Sequence, residues 1–302
     1  MKNIILDLDT GVDDALALSY VLMQSHDIRL LGVTATFGNV ETEASAANTL
    51  KVLSLFGRDD IPVCTGRKGP WGKDSYKVMD YVYTIHGRNG LGEACFPESG
   101  RKPEEEDAVS FMSRMIGQYG DDLTIVTTGP LTNLASLYRE HPECISAPHH
   151  VISMGGALTV KGNIEDIYEA NIYKDALSAE YVFSLPIDLS LIGLDVTERS
   201  HLSLDDVAEW KNKRGLLFRE MTEFYIAFHR RPYCFLHDPS AACAVLHPEF
   251  FTFIDLPITA TEKGRTVADY EKANPLKKVA LSVDSQKVER ELKMSWLKAF
   301  GE

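Results

Sequence analysis

The chain has 302 residues, 44% of them hydrophobic, with 44 acidic against 31 basic side chains and a formal net charge of −13. That length and apolar share allow a sizeable buried core. The acidic surplus argues against a nucleic-acid or anionic-membrane partner, because both need a basic surface.

Residues 3–8 read as a buried first strand, an apolar run broken at once by aspartates and so no signal peptide. Residues 12–24 carry apolar side chains at helical spacing. A strand over 28–35 and a helix over 41–56 follow, then a short strand over 61–64. The stretch 66–103 is rich in Gly, Lys, Tyr and charge, long for a loop, and is expected to be an active-site loop. Beyond it the pattern predicts a helix over 104–119, a strand over 123–128, a helix over 131–139 and a strand over 151–154. A helix over 175–183 and a strand over 187–194 complete the alternation. Residues 203–302 are expected to be mainly helical, ending in an amphipathic helix over 284–299. The most apolar later stretch, 181–196, contains Pro186, Asp188 and Asp195 and cannot be a membrane span.

Strands alternating with helices imply an α/β fold: one domain over 1–302 with a doubly wound, mostly parallel sheet flanked by helices. The five cysteines, Cys64, Cys95, Cys144, Cys234 and Cys243, form no Cys-x-x-Cys pair. A zinc framework is therefore not expected, and a reduced, cytoplasmic setting is the simplest reading. Ligands of such sheets bind beyond the carboxyl ends of the strands. Asp7-Leu8-Asp9, Thr127 to Pro130, Met154-Gly155-Gly156 and Asp195 all follow strands and should gather at one edge.

Asp7, Asp9, Asp13 and Asp14 crowd the first strand–helix turn. A helix start favours one such carboxylate. Four without a cation would repel one another, which points to a bound metal ion. An EF-hand is excluded, because its sixth and twelfth positions would be Val12 and Leu18 instead of Gly and Glu. A Mg-dependent phosphatase of the haloacid dehalogenase type also opens on a strand and Asp-x-Asp, but there Gly precedes Thr, and Asp13-Asp14 is unexplained.

The string Ile5-Leu6-Asp7-Leu8-Asp9-Thr10-Gly11-Val12-Asp13-Asp14-Ala15 resembles the opening signature of the inosine–uridine preferring nucleoside hydrolase family. Further blocks similar to that family follow in order: Phe37-Gly38-Asn39, His86 to Leu91, Thr128 to Asn133, Met154-Gly155-Gly156, Gly162-Asn163, Glu169-Ala170-Asn171 and His237-Asp238-Pro239. The resemblance implies a calcium-dependent enzyme that hydrolyses the N-glycosidic bond of ribonucleosides to ribose and free base, with a calcium-bound water as nucleophile. Asp9, Asp14 and Asp238 would hold Ca²⁺ through carboxylates and Thr128 through its carbonyl, with Asp7 just behind them. Asp13, Asn39 and Asn171 would bind the ribose diol, Asn163 and Glu169 the 5′-hydroxyl. Met154 would line the sugar, and Tyr225 would stand near the base or in the core. Two departures stand out: Thr10 replaces the usual proline, and Ala170 takes a position where an aromatic residue often faces the substrate.

The same chemistry assigns catalytic roles. Asp9 is the expected proton acceptor, with Asp13 the fallback. His237 is the expected leaving-group acid, and His86 a second candidate from the Gly-flanked loop, where apolar packing is not expected. Asp238 before Pro239 could instead be a helix N-cap. Thr132 and Asn133 read as helix-start residues. His149-His150, Asp121-Asp122 and His229 match nothing catalytic and read as strand-edge, turn and helix-surface residues. Three readings stay open here: a ribonucleoside hydrolase forming a homodimer or homotetramer, the phosphatase, and a non-catalytic nucleoside- or sugar-binding module.

Overall fold

A computed structural model describes residues 1–228 and 230–301; His229 lies outside the described residues. The first half runs β1 (Lys2–Leu8), α1 (Val12–Met23), β2 (Ile28–Ala35), α2 (Thr42–Leu55), β3 (Val63–Thr65), α3 (Asp80–His86), α4 (Ala108–Tyr119), β4 (Leu123–Thr127), α5 (Thr132–Glu140), α6 (Glu143–Ser146) and β5 (His150–Met154). The second half runs α7 (Ala170–Lys174), α8 (Ala176–Ser184), β6 (Asp188–Ile192), α9 (Leu194–Thr197), β7 (His201–Ser203), α10 (Leu204–Ala208), α11 (Lys213–Phe228), β8 (Tyr233–Phe235), α12 (His237–Ala244), β9 (Phe251–Leu256), β10 (Ile258–Ala260), β11 (Thr266–Ala268), β12 (Lys277–Val283) and α13 (Ser285–Phe300).

Eight strands form the main sheet in the order β3-β2-β1-β4-β5-β6-β12-β9, parallel except for β9, which runs antiparallel to β12. Period-two alternation makes β1 a wall between two cores. Ile4, Leu6 and Leu8 pack on one side with Leu16, Leu292 and Trp296, while Ile5 faces the other with Phe111, Leu134 and Val182. Helices therefore cover both faces, which is why β1 reads as an uninterrupted apolar run. The strand order reverses between β1 and β4, so the carboxyl ends of those two strands flank the crevice where such sheets bind ligands.

Side-chain caps set several boundaries that periodicity alone misplaces. Asp107 accepts hydrogen bonds from Val109 N (2.8 Å) and Ser110 N (3.1 Å), so α4 starts at Ala108 and not at 104. Asp175 and Asp284 similarly stand before α8 and α13. The expectation of a mainly helical chain after residue 203 needs correction. That region also contributes β8 to β12, two of them to the main sheet. β9 is the edge strand and β12 the strand next to it; both are partly exposed and interrupted by Asp255, Lys278 and Ser282, so they carry no continuous apolar signal. The loop 66–103 is not featureless either, since it holds α3.

Candidate active site

The turn from β1 into α1 places Asp9 beyond the strand and Asp13 and Asp14 in the helix's first turn, where the helix dipole favours carboxylates. Thr10 ties this turn to α2 through its hydroxyl, 2.8 Å from Thr49 Oγ1, and accepts from Ser45 Oγ at 3.2 Å. Those bonds anchor the turn without a proline ring. The backbone must come close here: a Cβ on Gly11 would lie 2.6 Å from His86 Nδ1, and one on Gly38 (φ +154°) would collide with the Asp9 carboxylate.

Asp13, Asp14 and Asp238 are buried and can each offer an oxygen within 4.8 Å of the others, so they could hold a metal ion. Asp238 reaches them from the first turn of α12, inside the helix and not at its N-cap, which is Leu236. Thr128 Oγ1 donates to Asp14 Oδ1 at 2.6 Å, while the Thr128 carbonyl accepts from Asn171 Nδ2 at 2.7 Å. Asp9 stands beside this trio. Its Oδ2 accepts from Asn39 N (2.7 Å) and Lys174 Nζ (3.1 Å), and Asn39 Nδ2 bridges Asp9 Oδ1 (3.3 Å) and Asp14 Oδ2 (3.2 Å). Asp7 lies behind, bonded by Thr34 Oγ1 (2.6 Å) and Asn133 Nδ2 (2.8 Å). Asn133 is thus a helix-start residue that also clamps β1.

Electrostatics show that the cluster fits a cation. Burial, reinforced by the charge of Asp9, raises the Asp13 pKa to about 6. Burial and the neighbouring carboxylates likewise lift Asp14 and Asp238 well above the ordinary range. Burial also raises Asp7 to about 6 despite its two hydrogen bonds. Asp13 Oδ1 and Asp7 Oδ2 are buried with no hydrogen-bond partner among the described residues. All-oxygen donors with unmet acceptor capacity suit a hard divalent ion.

Above the cluster opens a cavity of about 590 Å³, within the range of small-molecule sites. Of the residues expected from sequence, Asp13, Asn39, His86, Thr128, Met154, Asn163, Glu169, Asn171, Tyr225, His237 and Asp238 line it, whereas Asp9 and Asp14 stand behind its surface. Glu169 caps α7, accepting from Gly156 N (2.9 Å), Asn171 N (2.9 Å) and Ile172 N (3.0 Å), and Asn163 Oδ1 accepts from Ala170 N at 2.9 Å. These bonds hold the wall on one side. On the other, His237 Nδ1 lies 2.8 Å from Thr197 Oγ1, and Tyr225 donates to Asp13 Oδ2 at 3.4 Å.

His86 is not in open loop as expected. It ends α3, is buried, and its ring lies 5.3 Å from that of Tyr225. Its Nδ1 accepts from Val12 N at 3.2 Å, which puts the proton of the neutral ring on Nε2. Asp195 does not join the cluster, because its carboxylate accepts from Leu158 N and Thr159 N and pins the loop after β5. His149, directly before β5, is buried with its ring 2.7 Å from Tyr138 Oη, and His150 opens the strand.

Sequence reasoning missed the apolar lining supplied by Val82 and Ile85 of α3, Phe228 of α11 and Phe235 of β8. It also missed Lys174, a buried wall residue whose Nζ lies 3.2 Å from Asn39 Oδ1. Burial opposes its charge, but Asp9 and the hydroxyls of Tyr76 and Tyr81 outweigh that and raise its pKa. The only signal was a lysine three residues after Asn171, and lysines are rarely buried unless paired.

Residues 4–290 match the model of the inosine-uridine preferring nucleoside hydrolase family. The chain is 34% identical over 259 residues to uridine nucleosidase 1 of Arabidopsis thaliana, covering 83% of this chain and 76% of that one. It is 33% identical over 280 residues to the pyrimidine-specific ribonucleoside hydrolase RihA of Escherichia coli, covering 88% of each. Among solved structures, it superposes on a purine-preferring ribonucleoside hydrolase from Gardnerella vaginalis with a TM-score of 0.94, at 35% identity and 98% coverage of both chains. Among the described residues, no helix is long and apolar enough to cross a membrane.

Proposed function

Because the chain belongs to the inosine–uridine preferring nucleoside hydrolase family, and is thereby a hydrolase of ribonucleoside N-glycosidic bonds, we propose a division of labour among its own residues. The phosphatase and the non-catalytic module give way to that membership. The observation that carries the proposal is the convergence of Asp13, Asp14 and Asp238 at the floor of a cavity walled by Asn39, Thr128, Asn163, Glu169 and Asn171.

We assign the ion to Ca²⁺, held by Asp14, Asp238 and the Thr128 carbonyl; Asp9 is the further carboxylate ligand expected from the resemblance, and Asp13, which converges with Asp14 and Asp238, shares that role with it. When bound, it would supply a polarised, more acidic water and hold the ribose diol. Asn39, Asp13 and Asn171 bind that diol, Met154 packs under the sugar, and Asn163 with Glu169 takes the 5′-hydroxyl. Asp9 accepts the proton of the attacking water. Asp13 is the second candidate, favoured by its Oδ1, which accepts no hydrogen bond among the described residues and faces His86 Nδ1 at 3.8 Å. His237 faces the base and neutralises it as it leaves, with His86 and Tyr225 completing that wall. Positive charge growing on the sugar is stabilised by the carboxylate floor. The base itself rests on the apolar side chains of α3, α11 and β8.

We place the enzyme in the cytoplasm, since all five cysteines are free thiols. We expect a homodimer or homotetramer, supported by Met294 and Leu297 exposed on α13.

Incubation with inosine, uridine, 2′-deoxyuridine and p-nitrophenyl phosphate, with and without chelator, tests the scheme. Ribonucleosides should release base and reducing sugar, chelation should stop the reaction, and the phosphate ester should stay intact. A site that pairs a hydroxyl rejects the analogue lacking it by up to ~10⁴-fold, so deoxyuridine should be the far poorer substrate. Equal rates on uridine and deoxyuridine would remove the diol assignment.

A further inference from the structure

The scheme above leaves Lys174 without a role, although its ammonium meets the carboxylate floor. Its Nζ lies 3.1 Å from Asp9 Oδ2 and 3.2 Å from Asn39 Oδ1, with the Lys174 and Asp9 side chains 2% and 0% exposed. A lysine in the last turn of a short helix ordinarily reaches solvent, whereas this one ends α7 and turns into the site.

Two consequences follow from chemistry. First, an ammonium only donates hydrogen bonds, so it holds the amide oxygen of Asn39 toward itself. The Asn39 NH₂ must then point at Asp9 Oδ1 and Asp14 Oδ2, as observed. A flipped amide would set its NH₂ against the ammonium. Second, Lys174 places a fixed positive charge beside four carboxylates. Fully ionised, these carry four negative charges; a divalent ion and Lys174 together leave one.

We propose that Lys174 is a positioning residue of the hydrolytic site that orients the Asn39 amide and limits the negative charge offered to the cation. The proposal rests on the calcium-dependent hydrolase reading. It separates charge from mere packing, because loss of packing would weaken cation binding and turnover together. Loss of a neighbouring positive charge should instead tighten the cation while slowing the reaction.

Calorimetric titration of Ca²⁺ into the wild type, Lys174→Met and Lys174→Gln, run beside kcat and KM for uridine and inosine, tests this. Both variants should bind Ca²⁺ at least about tenfold tighter, the effect of removing a unit charge about 6 Å from a divalent ion even at the dielectric of bulk water. Turnover should fall in both, more in Lys174→Met than in Lys174→Gln, which keeps a donor for Asp9 and Asn39. Unchanged or weaker calcium binding in folded variants, checked by near-ultraviolet circular dichroism, would overturn the role of Lys174. If Lys174→Met does not fold, Lys174→Gln decides by the same criterion. A wild type that binds no calcium would take down the metal assignment and this proposal together, whereas a calcium-binding wild type with unaltered variants would remove Lys174 alone.

Discussion

His237 is the residue on which the mechanism makes its riskiest claim. Its ring is buried at the start of α12, anchored by Thr197 and next in sequence to Asp238. It can be removed without deleting any of the three converging carboxylates. His237→Ala should lower kcat for inosine by roughly 10²-fold, a usual contribution of general-acid catalysis, and leave calcium binding intact. A nitrophenyl riboside, whose leaving group needs no proton, should be hydrolysed nearly as before. Equal losses on both substrates would transfer the role to His86 or Tyr225. Much of this site was legible as motifs, because backbone-determined blocks such as Asp9 to Asp14 and His237 to Pro239 keep their chemistry next to one another in sequence. What was not legible depends on tertiary approach. Nothing in sequence tells that Lys174 meets Asp9, or that His86 is buried against Tyr225 and not carried on an open loop.

At the level of elements, the parallel half of the sheet followed from its apolar runs, since strands covered on both faces announce themselves. The far end of the sheet did not: β9 and β12 mix buried and exposed side chains without a regular period and carry charges inside the strand. The strap between β12 and the start of β6 is a buried lysine. Lys277 donates to the carbonyls of Leu185 and of Ile187 (3.0 Å), and burial lowers its pKa from the ordinary 10.5 to about 8. A lowered lysine means that the unfolded chain holds more protons than the folded one between pH 8 and 10.5. Stability credited to this group therefore rises with pH across that window and is constant below it. Urea unfolding of the wild type and Lys277→Met at pH 7.5 and 9.5 isolates the effect, because other titrations cancel in the difference. The wild type should gain relative to the variant at the higher pH. A difference that does not move with pH would show that Lys277 is held there as a hydrogen-bond donor only.

On the scale of the whole molecule, the carboxylate floor joins the two ends of the chain. Asp13 and Asp14 stand on α1, Asp238 on α12, and these helices pack together over the sheet with α13 against both. Charges crowded there oppose that packing unless a cation offsets them, so the ion should stabilise the fold as well as the reaction. A ligand that binds only the folded chain at 100 times its Kd contributes about 2.7 kcal/mol, worth about 5 °C in Tm for a protein of this size. Calcium should therefore raise the Tm of chelator-treated protein by about that amount at neutral pH. Magnesium should do less, because it demands near-octahedral ligands at about 2.1 Å and releases its water reluctantly. Asp14→Ala removes a converging oxygen and the acceptor of the Thr128 hydroxyl, and should abolish both the calcium shift and detectable hydrolysis. Should Asp14→Ala keep the full calcium-dependent rise in Tm, the ion would bind elsewhere, and the floor would act in catalysis without holding it.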